Sequence, residues 1–125
     1  MDVMHLGRCR ERVAFDEPVS TSDGSGGQEA GFSEVFKTPA HFRYLRGGET
    51  VQAARLEGRQ PVVVTVPATP RARRITTDWR MRDINRVTYA SDGSAVLGVY
   101  AVKAPPVLSE DRAWLEITCE TGVGY

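Results

Sequence analysis

The stretch AHFRYLRGGETVQAARLEGRQPVVVTV, residues 40–66, decides the fold predicted for this chain. Apolar and polar residues alternate over residues 40–46, which is typical of a strand with one buried face. Two glycines then interrupt the alternation, and Glu49 opens a run of good helix formers that reaches Leu56. Residues 62–66 are β-branched on both faces, which predicts a strand covered on both sides. The stretch therefore predicts a strand, a short helix and a second strand.

The rest of the chain consists of short apolar segments separated by turn residues, among them Pro67–Pro70, Asp92-Gly93 and Pro105-Pro106. The further predicted strands are residues 10–15, 32–37 (continuing into residues 40–46), 75–82, 85–90, 95–103 and 113–120. About six or seven short strands with one helix predict an all-β fold, a small antiparallel β-barrel or sandwich with the short α-helix on its side. A barrel is favoured because a small sheet that closes on itself has no free edges.

Length and composition predict a single domain over residues 1–125. The chain is close to the commonest domain size, and its 41% of hydrophobic residues suffice for one core. Three segments lack hydrophobic periodicity: an N-terminal arm over residues 1–9, a flexible loop rich in Ser and Gly over residues 16–31, and a C-terminal tail over residues 121–125. We expect the arm and the long mobile loop to become ordered only on assembly with other proteins.

Charge is balanced in the whole chain, with sixteen basic and sixteen acidic residues, but it is unevenly distributed. The net charge is −4 over residues 1–36, +3 over residues 37–70, +4 over residues 71–86 and −3 over residues 87–125. This pattern is compatible with subunits that contact one another through opposite charges, and equally with ordinary fluctuation along a folded surface.

Cysteine content and hydropathy indicate the compartment. Cys9 and Cys119 are too few for a disulfide framework, so we expect free thiols in a reducing compartment. No apolar run approaches the ~18 residues of a membrane span, and the first residues lack the basic and apolar regions of a signal peptide. These features predict a protein made in the cytoplasm, with no membrane partner.

No group of residues predicts catalysis. The chain has two histidines, and a metal site built from His5, Cys9, His41 and Cys119 would lack the short paired spacings of zinc ligands. The glycine-rich residues 24–27 lack the Lys-Ser/Thr pair that follows in a phosphate-binding loop. The sequence therefore predicts that the protein is not an enzyme and has no catalytic residue, no metal site and no cofactor.

An arginine-rich segment, residues 71–86, carries six of the fourteen arginines. One interpretation is a positive surface that contacts DNA phosphates without reading sequence. The other is a strand and turn whose arginines pair with Asp78, Asp83 or a neighbouring subunit. Trp79 is interpreted either as a core residue or as an interface anchor. Trp114 lies opposite the apolar face of the last strand, which suits a barrel strand whose outer face meets a neighbour.

The order of these segments resembles the phage head–tail joining proteins, also called head-completion or stopper proteins. The resemblance runs from about Arg10 to Glu120. It is carried by the strand Arg10–Phe15, the loop Asp23–Gly27 followed by Phe32, the strand with Phe42 and Tyr44, Gly48-Glu49 leading into Ala53-Ala54-Arg55, the strand Val62–Val66, Arg82-Asp83-Ile84, Tyr100-Ala101-Val102 and RAWLEITCE at residues 112–120. The family usually has Trp at the position of Phe32 and a shorter segment than residues 71–82.

The resemblance implies a structural connector in the neck of a phage or gene transfer agent particle. Such a protein forms a homo-oligomeric ring, twelve-fold or six-fold, between the portal or adaptor protein and the tail terminator or tail tube protein. It helps to retain packaged double-stranded DNA, which it contacts without sequence specificity. On this interpretation Arg71, Arg73 and Arg74 are candidate DNA-channel residues, and Phe32, Trp114 and Tyr125 are candidate ring contacts.

An alternative interpretation is a stand-alone nucleic-acid-binding β-barrel module. Such a module needs exposed aromatic side chains interleaved with arginine on one face of the sheet. Trp79 with Arg80 and Arg82 is the pattern in this chain that favours it.

Overall fold

The computed structural model describes residues 4–22 and 24–121, most of which lie in β-strands. Short 3-10 helices occur at Leu6–Arg8 and Ala72–Arg74. The strands and the α-helix of the described residues are β1 (Glu11–Ser22), β2 (Gln28–Tyr44), α1 (Glu49–Leu56), β3 (Gln60–Pro67), β4 (Arg80–Asp83), β5 (Thr88–Tyr89), β6 (Ala95–Leu97), β7 (Val99–Val102), β8 (Val107–Leu108) and β9 (Trp114–Thr121). None of the helices in these ranges is long and apolar enough to span a membrane.

The main sheet closes on itself. Its strand order is β3-β2-β1-β4-β7-β9-β8, and a further pairing of β3 with β9 joins six of these strands into a ring of hydrogen bonds. All pairs are antiparallel, and the closing pair runs from Gln60 opposite Thr121 to Pro67 opposite Trp114. Strands β5 and β6 form a separate hairpin. The predicted fold class, a small antiparallel β-barrel or sandwich with one short helix, is confirmed.

The core consists of the residues that alternate along the inner faces of the strands. Phe15 of β1 is fully buried and stacks on Phe36 of β2, with 5.4 Å between the ring centroids. Trp79 is 6% exposed and belongs to this core, so its interpretation as a core residue is correct. Other core residues are Val13, Ala40, Val62, Val64, Val66, Ala72, Ile75, Met81, Tyr100, Val102, Leu115, Ile117 and Cys119.

The predicted helix has the bounds that the sequence indicates. It begins at Glu49, directly after Gly48, whose φ of 86° is readily adopted only by glycine. Glu49 lies in the first turn, where a negative charge interacts favourably with the helix dipole. Within α1 only Ala54 is buried, so the helix lies against β3 by one narrow side and leaves most of its surface exposed.

The predicted flexible loop over residues 16–31 is wrong, because most of it forms a β-hairpin. The β1–β2 ladder extends from Asp16 opposite Glu34 to Ser22 opposite Gln28, after a register shift at Phe15/Asp16. We call residues 16–22 and 28–34 the hairpin arm. Its Ser, Thr and Gly content indicates exposed side chains, whereas the backbone hydrogen bonds of a two-stranded ladder do not depend on side-chain polarity.

Other predicted strands were too long. Residues 75–79 are not a strand, and only Arg80–Asp83 pairs with β1 and β7. The predicted strand 95–103 is divided at Gly98, which has φ 71° and lies so close to the neighbouring loop that a Cβ would stand 2.8 Å from the Val87 backbone nitrogen. The sequence also gave no signal for β8, which is two residues long.

The terminal segments are only partly described. In the N-terminal arm, residues 6–8 form a 3-10 turn, and His41 of β2 places Nδ1 3.2 Å from the carbonyl oxygen of Arg8. This contact ties the N-terminal arm to β2 in the barrel wall. Of the predicted C-terminal tail, Thr121 belongs to β9, and Tyr125 lies outside the described residues.

Candidate functional site

The arginine-rich segment contains a half-buried ion-pair cluster on the outer face of β1 and β4. Asp16 is 1% exposed and accepts hydrogen bonds from Arg80 Nε at 2.6 Å, from Arg82 Nε at 2.8 Å and from Arg82 Nη2 at 2.8 Å. Arg82 also donates to Glu34 at 2.8 Å and to the Tyr89 hydroxyl at 3.0 Å. The hydrogen bond to Asp16 is the main reason that the pKa of Arg82 lies above its ordinary value.

This cluster links four strands. Asp16 comes from β1, Glu34 from β2, Arg80 and Arg82 from β4, and Tyr89 from β5. The antiparallel register puts Asp16 directly opposite Arg80, so the ion pair follows from the β1–β4 ladder. The cluster therefore holds the base of the hairpin arm against the barrel and against the β5–β6 hairpin.

A second ion-pair cluster lies at one end of the barrel. Asp83 is fully buried and accepts hydrogen bonds from Arg86 Nη1 at 2.6 Å and from the Asn85 backbone N–H at 3.2 Å. Arg86 also donates to Glu11 at 2.5 Å. These bonds, with Glu11 first and Asp83 second, raise the pKa of Arg86. Of the ion-pair partners that the sequence suggested for the arginine segment, Asp83 is confirmed as a partner of Arg86, whereas Arg80 and Arg82 pair with Asp16.

The three candidate DNA-channel residues differ in their surroundings. Arg74 donates to Glu17 at 3.3 Å, and its guanidinium lies 6.0 Å from the centre of the Trp79 ring. Arg71 and Arg73 are exposed and make no ion pair with another residue in the described ranges. Only these two therefore keep an uncompensated charge on the turn after β3.

This turn has a rigid support. Ala72 is buried, and its backbone N–H donates to the Thr69 hydroxyl at 3.2 Å. The Ala68 backbone N–H donates to the carbonyl oxygen of Ala113 at 2.9 Å, which ties the turn to the start of β9. The turn thus presents Arg71 and Arg73 from a fixed backbone.

The candidate ring contacts lie on different parts of the surface. Phe32 is half-buried on the hairpin arm, and the Arg80 guanidinium lies 4.5 Å from its ring centre. Trp114 is half-buried on β9, opposite Pro67. The structure does not bring Phe32 and Trp114 together, and Tyr125 is outside the described residues.

The pattern that favoured a stand-alone nucleic-acid module is not present as an exposed surface. Trp79 is buried in the core and has no free face on which a base can stack. The two charges of Arg80 and Arg82 are compensated by Asp16 and Glu34. This group of residues therefore stabilises the fold and the base of the arm.

The sequence did not predict two features of the surface. An open groove of about 760 Å³ lies between the hairpin arm and the β5–β6 hairpin, with Phe32 in its wall. Leu56, the last residue of α1, is 88% exposed. The groove is formed by segments far apart in the chain, which no local pattern reveals. The exposure of Leu56 follows from the narrow contact of α1 with β3.

The histidines and cysteines do not form a metal centre within residues 4–22 and 24–121, where no three His, Cys, Asp or Glu side chains converge. His5 and His41 line one shallow cavity of about 430 Å³ together with Arg8 and Tyr44. Cys119 is fully buried in the core and is not available as a metal ligand on the surface. Burial raises the pKa of its thiol to about 12.

The buried thiol makes alkaline stability a testable property. In the unfolded chain Cys119 loses its proton near its ordinary pKa of 9.0, whereas in the folded chain it keeps the proton. The unfolded state therefore binds fewer protons, and the free energy of unfolding should fall above about pH 9, by at most about 1.4 kcal/mol per pH unit. Urea unfolding between pH 8 and pH 10 should show a flatter profile for Cys119→Ala. Parallel profiles for the two proteins would contradict this explanation.

Comparison with known proteins identifies a family, and similar solved structures include two that cover most of this chain. Residues 4–122 match the family described as phage head completion protein. The solution structure of protein SF1141 from Shigella flexneri 2a has a TM-score of 0.63 and 19% identity, over 98% of this chain and 100% of that chain. A chain in the virion of a native gene transfer agent particle has a TM-score of 0.56 and 20% identity, over 91% of this chain and 94% of that chain. No curated protein matches the sequence.

The two solved structures share the fold with this chain, at identities too low to carry more than the fold. The family match is broader evidence, since it spans both ion-pair clusters, the arginine turn and every strand of the closed ring. The chain therefore belongs to the phage head completion protein family.

Proposed function

We propose that the protein is a head–tail connector, a structural protein that forms a ring in the neck of a phage-like particle. The observation that carries this proposal is the match to the head completion family over residues 4–122. The shared fold with a chain of a gene transfer agent virion is consistent with it. On this proposal the protein is made in the bacterial cytoplasm and becomes part of the particle, where it acts by contact and has no enzymatic activity.

The ring we propose has twelve or six copies and lies between the portal or adaptor protein and the tail terminator or tail tube protein. The closed sheet supports this role, because it makes a rigid unit without free edges on most strands. Identical rigid units that contact one another head to tail form a ring when the rotation between them closes.

The proposed DNA contact is the turn after β3. Arg71 and Arg73 are exposed, carry uncompensated charge and sit on a fixed backbone. In a ring, one such turn from each copy would surround the channel with positive charge, which binds phosphates without reading bases. Arg74 contributes less, because Glu17 already compensates its charge.

We expect the double variant Arg71→Ala/Arg73→Ala to lower the amount of nuclease-protected DNA in assembled particles several-fold, because two phosphate contacts per copy are lost. The measurement is the DNA content of purified particles, with tail attachment scored by electron microscopy. Tail attachment should stay normal, since both side chains are exposed and removing them leaves the fold unchanged.

A matched control is Arg43→Ala/Arg46→Ala, which removes two exposed arginines, one near the end of β2 and one just after it, away from the turn. DNA retention in this variant should equal that of the wild type. If both double variants retain normal amounts of DNA, the turn is not the channel surface, although the connector role stands. If the protein is absent from particles, the connector role itself is wrong.

A further inference from the structure

The groove between the hairpin arm and the β5–β6 hairpin has an apolar wall and an acidic rim. Pro18, Ala30 and Phe32, which share one face of the hairpin arm, supply the apolar wall, and Glu29 and Asp92 are the acidic residues of the lining. The charge of Arg80, which also lines the groove, is compensated by Asp16. Glu29 makes no ion pair with another residue in the described parts of the chain. The groove is therefore suited to an apolar side chain accompanied by a positive charge.

The C-terminal end of α1 has the complementary character. Leu56 is 88% exposed, more than any other large hydrophobic residue of the described chain. Arg55 beside it is also exposed and has no ion-pair partner within residues 4–22 and 24–121. An apolar side chain and an uncompensated positive charge thus project together from the end of a helix.

These two surfaces cannot meet within one copy. The groove wall includes Phe32, near the start of β2, whereas α1 follows Tyr44, at the end of β2. The twelve-residue separation corresponds to about 40 Å along an extended strand. Complementary surfaces on opposite ends of a rigid unit make a heterologous contact between copies, the type that generates rings.

We propose that Leu56 and Arg55 of one copy bind in the groove of a second copy. Leu56 packs on the apolar wall at Pro18 and Phe32, and Arg55 pairs with Glu29 and Asp92. The contact repeats around the assembly, since each copy offers one helix end and one groove. This inference rests on the proposed ring and identifies the surfaces through which its copies touch.

Cysteine cross-linking tests the contact directly. In a Cys9→Ser background, which leaves only the buried Cys119, we combine Leu56→Cys with Ala30→Cys and add a short bis-maleimide. The reaction is run on purified protein at millimolar concentration and on assembled particles. We expect a ladder of covalent multimers in denaturing gels, because each copy is linked to two neighbours.

Two controls make the result specific. An equal mixture of the single variants Leu56→Cys and Ala30→Cys should give dimers and no higher multimers, as a heterologous contact requires. Leu6→Cys combined with Ala30→Cys should give no ladder, although Leu6 is also a well-exposed leucine, at 64%. A ladder of equal strength with Leu6→Cys, or no ladder in either sample, would overturn the inference. A cross-link from position 30 to a different virion protein would also overturn it.

The proposed ion pair between Arg55 and Glu29 is tested by reversing one charge and then the other. Arg55→Glu should weaken self-association by roughly tenfold, and Glu29→Arg in the same chain should restore much of it. Leu56→Glu should weaken self-association by about 30-fold or more, as expected of a central apolar anchor. Particles that contain the protein but give no ladder would leave the connector role intact. Particles that lack the protein, with a ladder in solution, would remove the connector role and keep the contact.

Discussion

Asp16→Ala is expected to lower the free energy of unfolding by about 3–5 kcal/mol. Asp16 is almost fully buried and accepts three hydrogen bonds from Arg80 and Arg82, whose side chains are themselves mostly buried. Removing the carboxylate leaves two desolvated guanidinium groups, of which Arg80 keeps only the ring of Phe32. Urea unfolding of the purified protein measures the loss.

The control for this substitution is Glu17→Ala, the next residue of the same strand. Glu17 forms an exposed ion pair with Arg74 at 3.3 Å, and such pairs contribute about 0–1 kcal/mol. A joint replacement, Asp16→Leu with Arg80→Met and Arg82→Met, should cost less than Asp16→Ala alone, because it removes the buried charges together. Equal losses for Asp16→Ala and Glu17→Ala would mean that the cluster does not stabilise the fold.

Phe15→Ala is the second substitution with a large expected effect, about 3–5 kcal/mol of stability. Phe15 is fully buried and stacks on Phe36 across the β1–β2 pair. It is the last residue before the register shift, so the cavity would open where the hairpin arm leaves the barrel. Thermal and urea unfolding should both record the loss.

Phe32→Ala provides the comparison for Phe15. Phe32 is an aromatic residue of the same hairpin, but it is only half-buried and contacts Arg80 on the outer surface. Its loss should be well below that of Phe15, because little apolar area is returned to water. If Phe32→Ala proves as costly as Phe15→Ala, then the arm, and not the barrel interior, supplies the main packing at this end.

Local periodicity predicted the elements that are regular and buried. The alternation of Leu115, Ile117 and Cys119 predicted β9, and the glycine pair before Glu49 predicted where the helix begins. The prediction of a loop over residues 16–31 was wrong because a polar, glycine-containing sequence is compatible with an exposed two-stranded ribbon as well as with a loop. Ring closure was expected only on general grounds, since the pairing of Gln60 with Thr121 is non-local and leaves no trace in either segment.

The sequence predicted which arginines belong to the candidate site, but not most of the acidic residues that pair with them. The sequence singled out the arginines of residues 71–86, and it named Asp83 as a possible partner. The other partners, Asp16, Glu34, Glu11 and Glu17, lie between 48 and 75 residues away from the arginines they bind, so only the folded sheet brings them together. Arg71 and Arg73 can be distinguished from Arg74, the third candidate DNA-channel residue, only once these pairs are known.

The last strand also has a consequence for biosynthesis. Because β9 pairs with β3, β7 and β8, strand β8 and one edge each of β3 and β7 stay unpaired until residue 121 has emerged from the ribosome. Earlier in translation the nascent chain exposes the valine-rich margin of β3, a template for pairing with other chains. Closure of the sheet thus waits for its last strand and depends on distant contacts, which are slow to form.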